Sequence, residues 1–352
     1  MIMGKQVNFR CPQVGKGTRQ GLRNPENNDA YGYFEVQRRE ATTRLPGRTG
    51  DGDTQTTPLR QQAPTNGSAY GPDTTIFIAV VADGVTCTTG GAQASRIAVE
   101  AVKATLREPP SRQETLSEWL EFAVLRANDE ILFEAKRNPQ WEGMSTTIVL
   151  AALAGEKLYV MHLGDSRAYL MRDGELHLLT ADHTWAQEAL DAGSITAAEA
   201  AQHPGRNQLL RYLGSQKSIS VDRGIIMPGT GLREEYLLAQ PGDVVLLCTD
   251  GLHHPLPAGE LRQTLVDHAG YPQDAVDELI AEAVATGERD DITAVVMELP
   301  AIADLAGDTP AAPVQPAAAA PAAVRKSGRA ITTLLLTALT ILVLFALYWM
   351  LR

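Results

Sequence analysis

Four acidic clusters in this sequence stand where predicted strands end: Asp29, Asp83-Gly84, Asp250-Gly251 and the pair Asp290-Asp291. Asp83 closes the run AVVAD and Asp250 closes VVLLCTD, so each sits at the tip of a predicted strand, beside a glycine that lets backbone approach closely. Carboxylates converging from several strand tips make a hard-oxygen site suited to Mg²⁺ or Mn²⁺. Asp-Gly is also a common turn, as at Asp51-Gly52 and Asp173-Gly174. A helical pattern rather than a partner strand follows both Asp83-Gly84 and Asp250-Gly251, which sets them apart from hairpins. The cysteines Cys11, Cys87 and Cys248 have neither CxxC spacing nor the density of a disulfide framework, and they read as reduced thiols. His162, His183, His203, His253 and His254 lack a metal-binding spacing such as HExxH and read as structural or solvated.

These carboxylates need a scaffold that brings distant strand ends together. TIFIAVVAD from Thr75 predicts a buried strand. A helix over about 91–106 follows, with Ile97, Ala98, Ala101, Val102 and Thr105 on one face, then a second helix over about 117–136. TTIVLAALAG, KLYVMHLGDS, RAYLMRDG and ELHLLTAD then succeed one another across tight turns and predict an antiparallel meander. Thr196 and Glu199 form a capping-box pattern for a short helix. The strand GDVVLLCTD, helices starting near Pro257 and Pro272, and a last strand DITAVVMEL complete an α+β layered domain.

A chain of 352 residues with 44% apolar side chains buries a large core. Its net charge of −11, from 31 Lys and Arg against 42 Asp and Glu, argues against nucleic acid as a partner. The polar, basic N-terminus lacks the apolar run of a signal peptide. The domain is expected over residues 1–299, interrupted at 36–74 by a disordered insertion rich in turn formers and poor in large apolar side chains. Residues 300–329 form an Ala/Pro-rich linker. Residues 331–351 carry no charge and as a helix would span roughly 31 Å, so a transmembrane helix is predicted over 330–351. Arg325, Lys326 and Arg329 precede it and Arg352 alone follows, which places the preceding side in the cytoplasm. The expectation is a single-pass protein of the inner (cytoplasmic) membrane with its large domain facing the cytoplasm.

Seven blocks in order, GLRNPENNDAY (21–31), VADGVTCTTGGAQAS (81–95), GMSTTIV (143–149), HLGDSRAYLMRDGELHLLTADHT (162–184), HPGRNQLLRYLG (203–214), LLCTDGL (246–252) and GERDDITAVV (287–296), resemble the metal-dependent type 2C serine/threonine protein phosphatases of bacteria. The resemblance covers residues 15–299 and implies two antiparallel β-sheets packed as a sandwich flanked by helices, an αββα arrangement. It also implies two Mn²⁺ or Mg²⁺ ions, and hydrolysis of phosphoserine and phosphothreonine by a hydroxide that bridges them. Position by position, Asp83 is similar to the aspartate that bridges both ions, with the Gly84 carbonyl adding a ligand. Asp250 and Asp290 resemble the remaining carboxylate ligands, and Asp29 the carboxylate that holds metal-bound waters. Asp165 matches the residue that holds a third ion, with Asn207, and Arg23 the one that grips the substrate phosphate. Asn28, not the family's usual glutamate, precedes Asp29, and Val85 stands where some eukaryotic relatives carry a histidine acid. The implied partners are phosphorylated proteins, the substrates of a bacterial Ser/Thr kinase. The rival readings are a catalytically silent, membrane-tethered phosphoprotein-binding module and, more weakly, a hydrolase of small phosphoesters.

Overall fold

A computed structural model describes residues 11–39, 73–86, 89–108, 114–215 and 218–299. In chain order they form β1 (Gln13–Arg19), β2 (Asp29–Arg39), β3 (Asp73–Asp83), α1 (Gly91–Arg107), α2 (Leu116–Arg137), β4 (Ile148–Ala154), β5 (Lys157–Leu163), β6 (Arg167–Arg172) and β7 (Glu175–Leu178). Then come α3 (Trp185–Asp191), α4 (Ala197–Gln202), the short strands β8 (Asp222–Arg223), β9 (Ile225–Ile226), β10 (Arg233–Glu234) and β11 (Leu237–Leu238), β12 (Val244–Cys248), α5 (Asp250–His253), α6 (Ala258–Asp267), α7 (Pro272–Ala285) and β13 (Ile292–Glu298). One antiparallel sheet runs β1-β13-β12-β6-β7 and the other β11-β5-β4-β3-β2, with β8 on β5; β9 and β10 pair separately.

Three apolar layers hold the sheets and helices together, as the αββα expectation requires. Ile76, Ile78, Val80 and Ala82 on one face of β3 pack with Ala98, Val102, Leu120 and Val124 of α1 and α2. Phe77, Ala79 and Val81 on its other face meet Val245, Leu247, Val295 and Met297 of the facing sheet. Leu246, Ala294 and Val296 turn outward onto Leu261, Val276 and Leu279 of α6 and α7. Burial on both faces explains why the central strands read as unbroken apolar runs instead of alternating ones. The capping box predicted at Thr196 and Glu199 is present, and α2 carries a second one at Thr115 and Glu118.

Two expectations need correction. The four-strand meander does not exist as one sheet: β4 pairs with β5 and β6 with β7, but β5 and β6 lie in opposite sheets. The Gly-Asp-Ser segment between them is a crossing, not a hairpin turn. Gly164 takes φ +113° there, and a Cβ would fall 2.6 Å from the Thr147 side chain. Both faces of β6 are buried in its observed place: Ala168 and Leu170 join the layer between the sheets, and Tyr169 and Met171 join the layer under α6 and α7. The insertion is also shorter than residues 36–74, because β2 and β3 continue pairing out to Arg39↔Asp73. Its remainder, like the linker at 300–329 and the transmembrane segment at 330–351, lies outside the described residues. Among the described residues no helix is long and apolar enough to cross a membrane.

Candidate metal centre

Strand parity delivers the acids to one end of the sandwich. Phe77, Ala79 and Val81 face the layer between the sheets, and Asp83 continues that row at the strand tip. Asp29 is the register partner of Asp83 on β2. Thr249 follows Val245 and Leu247 on the same face of β12, and its hydroxyl donates to Asp29 Oδ2 at 2.9 Å. Asp250 opens α5, Asp290 precedes β13, and Asp165 lies in the crossing between the sheets.

Arg23, Asp83, Asp165, Asn207, Asp250 and Asp290 line a single pocket of about 460 Å³. Two predicted residues, Asp29 and Gly84, are not among its lining residues. Asp29 is buried behind Asp83, and the Gly84 N–H donates to the Asn28 carbonyl at 3.0 Å. A Cβ on Gly84 would stand 2.3 Å from the Gly91 backbone, and one on Gly251 2.1 Å from the Asp291 carbonyl oxygen. Both glycines therefore permit the close backbone packing that holds the neighbouring aspartates in place.

Without a cation this cluster is electrostatically costly. Burial, then repulsion from Asp291 and Asp250, pushes Asp29 up to about 8 against the relief from Thr293 and Thr249. Burial and then Asp29, Asp250 and Asp165 raise Asp83 well above the usual carboxylate range. Asp165 is raised by burial and by Asp250, and Asp290 by burial and Asp250 against the relief from Arg23. Asp29 Oδ1 and Asp250 Oδ1 are buried without a hydrogen-bond partner. Crowded carboxylates with unpartnered oxygens are the donor set that hard divalent cations satisfy, and Asp83, Asp250, Asp290 and Asp165 could hold them. Arg23, more than half exposed, ion-pairs with Asp290 at the rim.

Several supports were not read from the sequence. Thr146 Oγ1 and the Thr147 N–H both donate to the Asp83 carbonyl at 2.8 Å, and the Asp83 N–H donates to Thr147 Oγ1 at 3.0 Å. Asp291 accepts from the Gly21 and Asn28 N–H groups at 2.8 Å each and from Asn24 Nδ2 at 3.1 Å, which anchors the segment carrying Arg23. The adjacent Asp290-Asp291 was the signal for this, but which of the two faces the pocket depends on the fold. Of the histidines, His162, His183 and His253 are buried, and His203 stacks on Trp185. His254 reaches the cluster, with Nδ1 3.5 Å from Asp250 Oδ2.

The protein phosphatase 2C family model matches residues 67–295. The chain belongs to that family. It is 30% identical over 242 residues to the serine/threonine phosphatase stp of Listeria innocua, covering 68% of this chain and 91% of the relative. It is 33% identical over 221 residues to the serine/threonine protein phosphatase PstP of Mycobacterium tuberculosis, covering 62% of this chain and 40% of that one. The M. tuberculosis PstP/Ppp crystal structure superposes with a TM-score of 0.60 at 26% identity over 82% of this chain and 99% of that one. A PstP catalytic domain solved in complex with two manganese ions superposes with a TM-score of 0.57 at 25% identity, over 82% of this chain and 98% of that one. The phosphatase 2C sandwich is thus the scaffold that gathers the acidic pocket.

Proposed function

We propose that this chain is a Mn²⁺- or Mg²⁺-dependent protein serine/threonine phosphatase, and that Asp83, Asp250 and Asp290 hold two ions, with Asp165 and Asn207 at a third. The observation that carries this is the convergence of four carboxylates on one pocket, with a half-free arginine at its rim. The kinship to phosphatases and the manganese-bound relative support it. Bound divalent cations supply a water of lowered pKa and offset the charge that develops on the phosphate oxygens. Arg23 spends one N–H on Asp290 and keeps a planar fork of donors suited to two phosphate oxygens. Asp29, held by Thr249 behind Asp83, would give up its proton when cations bind and then add negative charge beneath the ligands without lining the pocket. Val85 lines the pocket and has no proton to give, so the leaving oxygen takes its proton from water. A silent binding module would gain nothing from several mutually repelling buried acids, which favours the enzyme.

The natural substrates in this reading are proteins phosphorylated by a bacterial Ser/Thr kinase. Residues 331–351 hold the protein in the inner membrane with the phosphatase domain in the cytoplasm; their uncharged composition and the flanking basic residues support this. The test is release of phosphate from a phosphothreonine peptide with Mn²⁺ and with chelator. Turnover is expected with Mn²⁺ alone and is expected to vanish in folded Asp83→Asn and Asp250→Asn. Undiminished turnover by either variant refutes the assignment, and tight peptide binding without turnover by the unaltered protein favours the silent module. Sedimentation with membranes, lost when residues 301–352 are removed, checks the anchor.

A further inference from the structure

Behind the pocket, His162, His183 and Asp222 bring ligand atoms within 4.8 Å of one another. Two imidazoles and a carboxylate are a donor set that suits zinc, but the hydrogen bonds exclude it here. His183 Nδ1 accepts from the Gly164 N–H at 3.1 Å, so the ring's proton sits on Nε2, which faces Asp222 Oδ2 at 3.2 Å. A nitrogen that carries a proton cannot ligate a metal. Asp222 is already saturated with positive charge, since Arg211 donates to Oδ1 and Arg233 to Oδ2, each at 2.6 Å. Burial, then the neighbouring His183, pushes His162 down to about 4, and burial lowers His183 against the opposing pull of Asp222.

What the cluster does is join two walls of the pocket. The His183 backbone brackets the same turn that its ring holds, with its N–H donating to the Gly164 carbonyl at 2.9 Å. Its carbonyl accepts from the Leu210 N–H at 2.8 Å, while Thr184 bridges Leu209 and the Trp185 N–H donates to the Gln208 carbonyl at 2.9 Å. Asp165 follows Gly164 directly, and Asn207, Gln208 and Leu209 line the pocket opposite. Arg211, two residues beyond Leu209, returns to Asp222 and so to the other edge of the same imidazole. Stacking on His162, with ring centroids 4.5 Å apart, fixes the plane of the His183 ring.

We infer that His183 is a positioning residue that sets Asp165 against the Asn207 wall of the pocket through its Nδ1 contact to the Gly164 N–H. This rests on the reading of Asp165 as a metal-binding residue. Partners one shell removed from a ligand change metal affinity by about 10–100-fold when lost. Asparagine and glutamine at residue 183 separate the contacts: the Asn carbonyl oxygen falls where Nδ1 stood and accepts from Gly164, whereas the Gln amide falls near Nε2 and does not.

The experiment titrates Mn²⁺ by calorimetry into the full-length wild type, His183→Asn, His183→Gln, Asp165→Asn and the Asp165→Asn/His183→Gln double variant. Amide exchange at Gly164 is followed by NMR without metal. His183→Gln is expected to weaken the Asp165-dependent class of Mn²⁺ sites about tenfold and to speed Gly164 exchange, and His183→Asn to stay within about threefold of wild type. The remaining Mn²⁺ sites keep their affinity, and His183→Gln adds nothing in the Asp165→Asn background. Asp222→Asn cuts the Arg211 pairing but leaves the Nδ1 contact in place, so its Gly164 exchange is expected to stay at the wild-type rate. Equal losses in His183→Asn and His183→Gln, a further loss in the Asp165→Asn background, or unchanged Gly164 exchange in His183→Gln overturns the proposal alone. Wild-type Mn²⁺ binding by Asp165→Asn overturns the reading of Asp165 and the proposal with it.

Discussion

Removing the charge of Asp29 should change how stability depends on pH, by an amount that follows from its burial. In the unfolded chain its carboxyl ionises near the ordinary 3.8, whereas in the metal-free fold it keeps its proton up to about 8. The folded state therefore binds the extra proton across that window, and stability falls as pH rises through it. Well inside the window the slope is about 1.4 kcal/mol per pH unit, fading near pH 8, so the loss between pH 6.5 and 8.5 comes to about 2 kcal/mol. For a domain of this size that is about 4–8 °C in melting temperature. Asp29→Asn keeps an oxygen to accept from Thr249 but does not titrate. The buried His162, His183 and His253 gain protons only on unfolding at lower pH, and they are common to both proteins. The assay is thermal unfolding of wild type and Asp29→Asn in chelator from pH 6.5 to 8.5. The variant should gain on the wild type steadily as pH rises. In wild type, Mn²⁺ should raise the melting temperature more at pH 8.5 than at pH 6.5, because the ion takes the place of the proton. Parallel curves for the two metal-free proteins would refute the claim that Asp29 is held protonated by burial and its acidic neighbours.

Arg23→Ala should raise KM for a phosphopeptide and weaken inhibition by inorganic phosphate about tenfold while leaving the melting temperature within about 2 °C, since the side chain is mostly exposed; steady-state kinetics with phosphate as inhibitor checks this. Gly84→Ala should abolish Mn²⁺ binding measured by calorimetry, because its Cβ would meet the Gly91 backbone at 2.3 Å and displace the Asp83 tip. Leu150→Ala, in the middle of β4 and fully buried, should cost about 2–5 kcal/mol in chemical denaturation, and a loss under 1 kcal/mol would mean that the layer against α1 and α2 repacks freely.

What the sequence determined by itself is local in origin. The doubly apolar runs of β3, β4, β12 and β13 announce central strands, because a strand buried on both faces has no polar row to show. The capping box at Thr196 and Glu199 acts within four residues, so short-range pattern suffices to place it. Asp83, Asp250 and Asp290 were legible as strand-tip carboxylates, and the ordered blocks bound them to one family. Tertiary structure decided everything that depends on which distant segments meet. A Gly-Asp-Ser turn looks the same whether it closes a hairpin or carries the chain across to the facing sheet, and only the inner-layer packing of Ala168 and Leu170 selects the crossing that puts Asp165 at the pocket. Asp290 and Asp291 are neighbours of identical chemistry. The fold turns one toward the pocket and ties the other to Gly21, 270 residues earlier in the chain. His183 gains its role from Gly164 on one side and Asp222 on the other, contacts made only once both sheets are in place. Hydrogen bonds of that sequence separation leave no periodic trace, because each partner's residue type is compatible with many other surroundings.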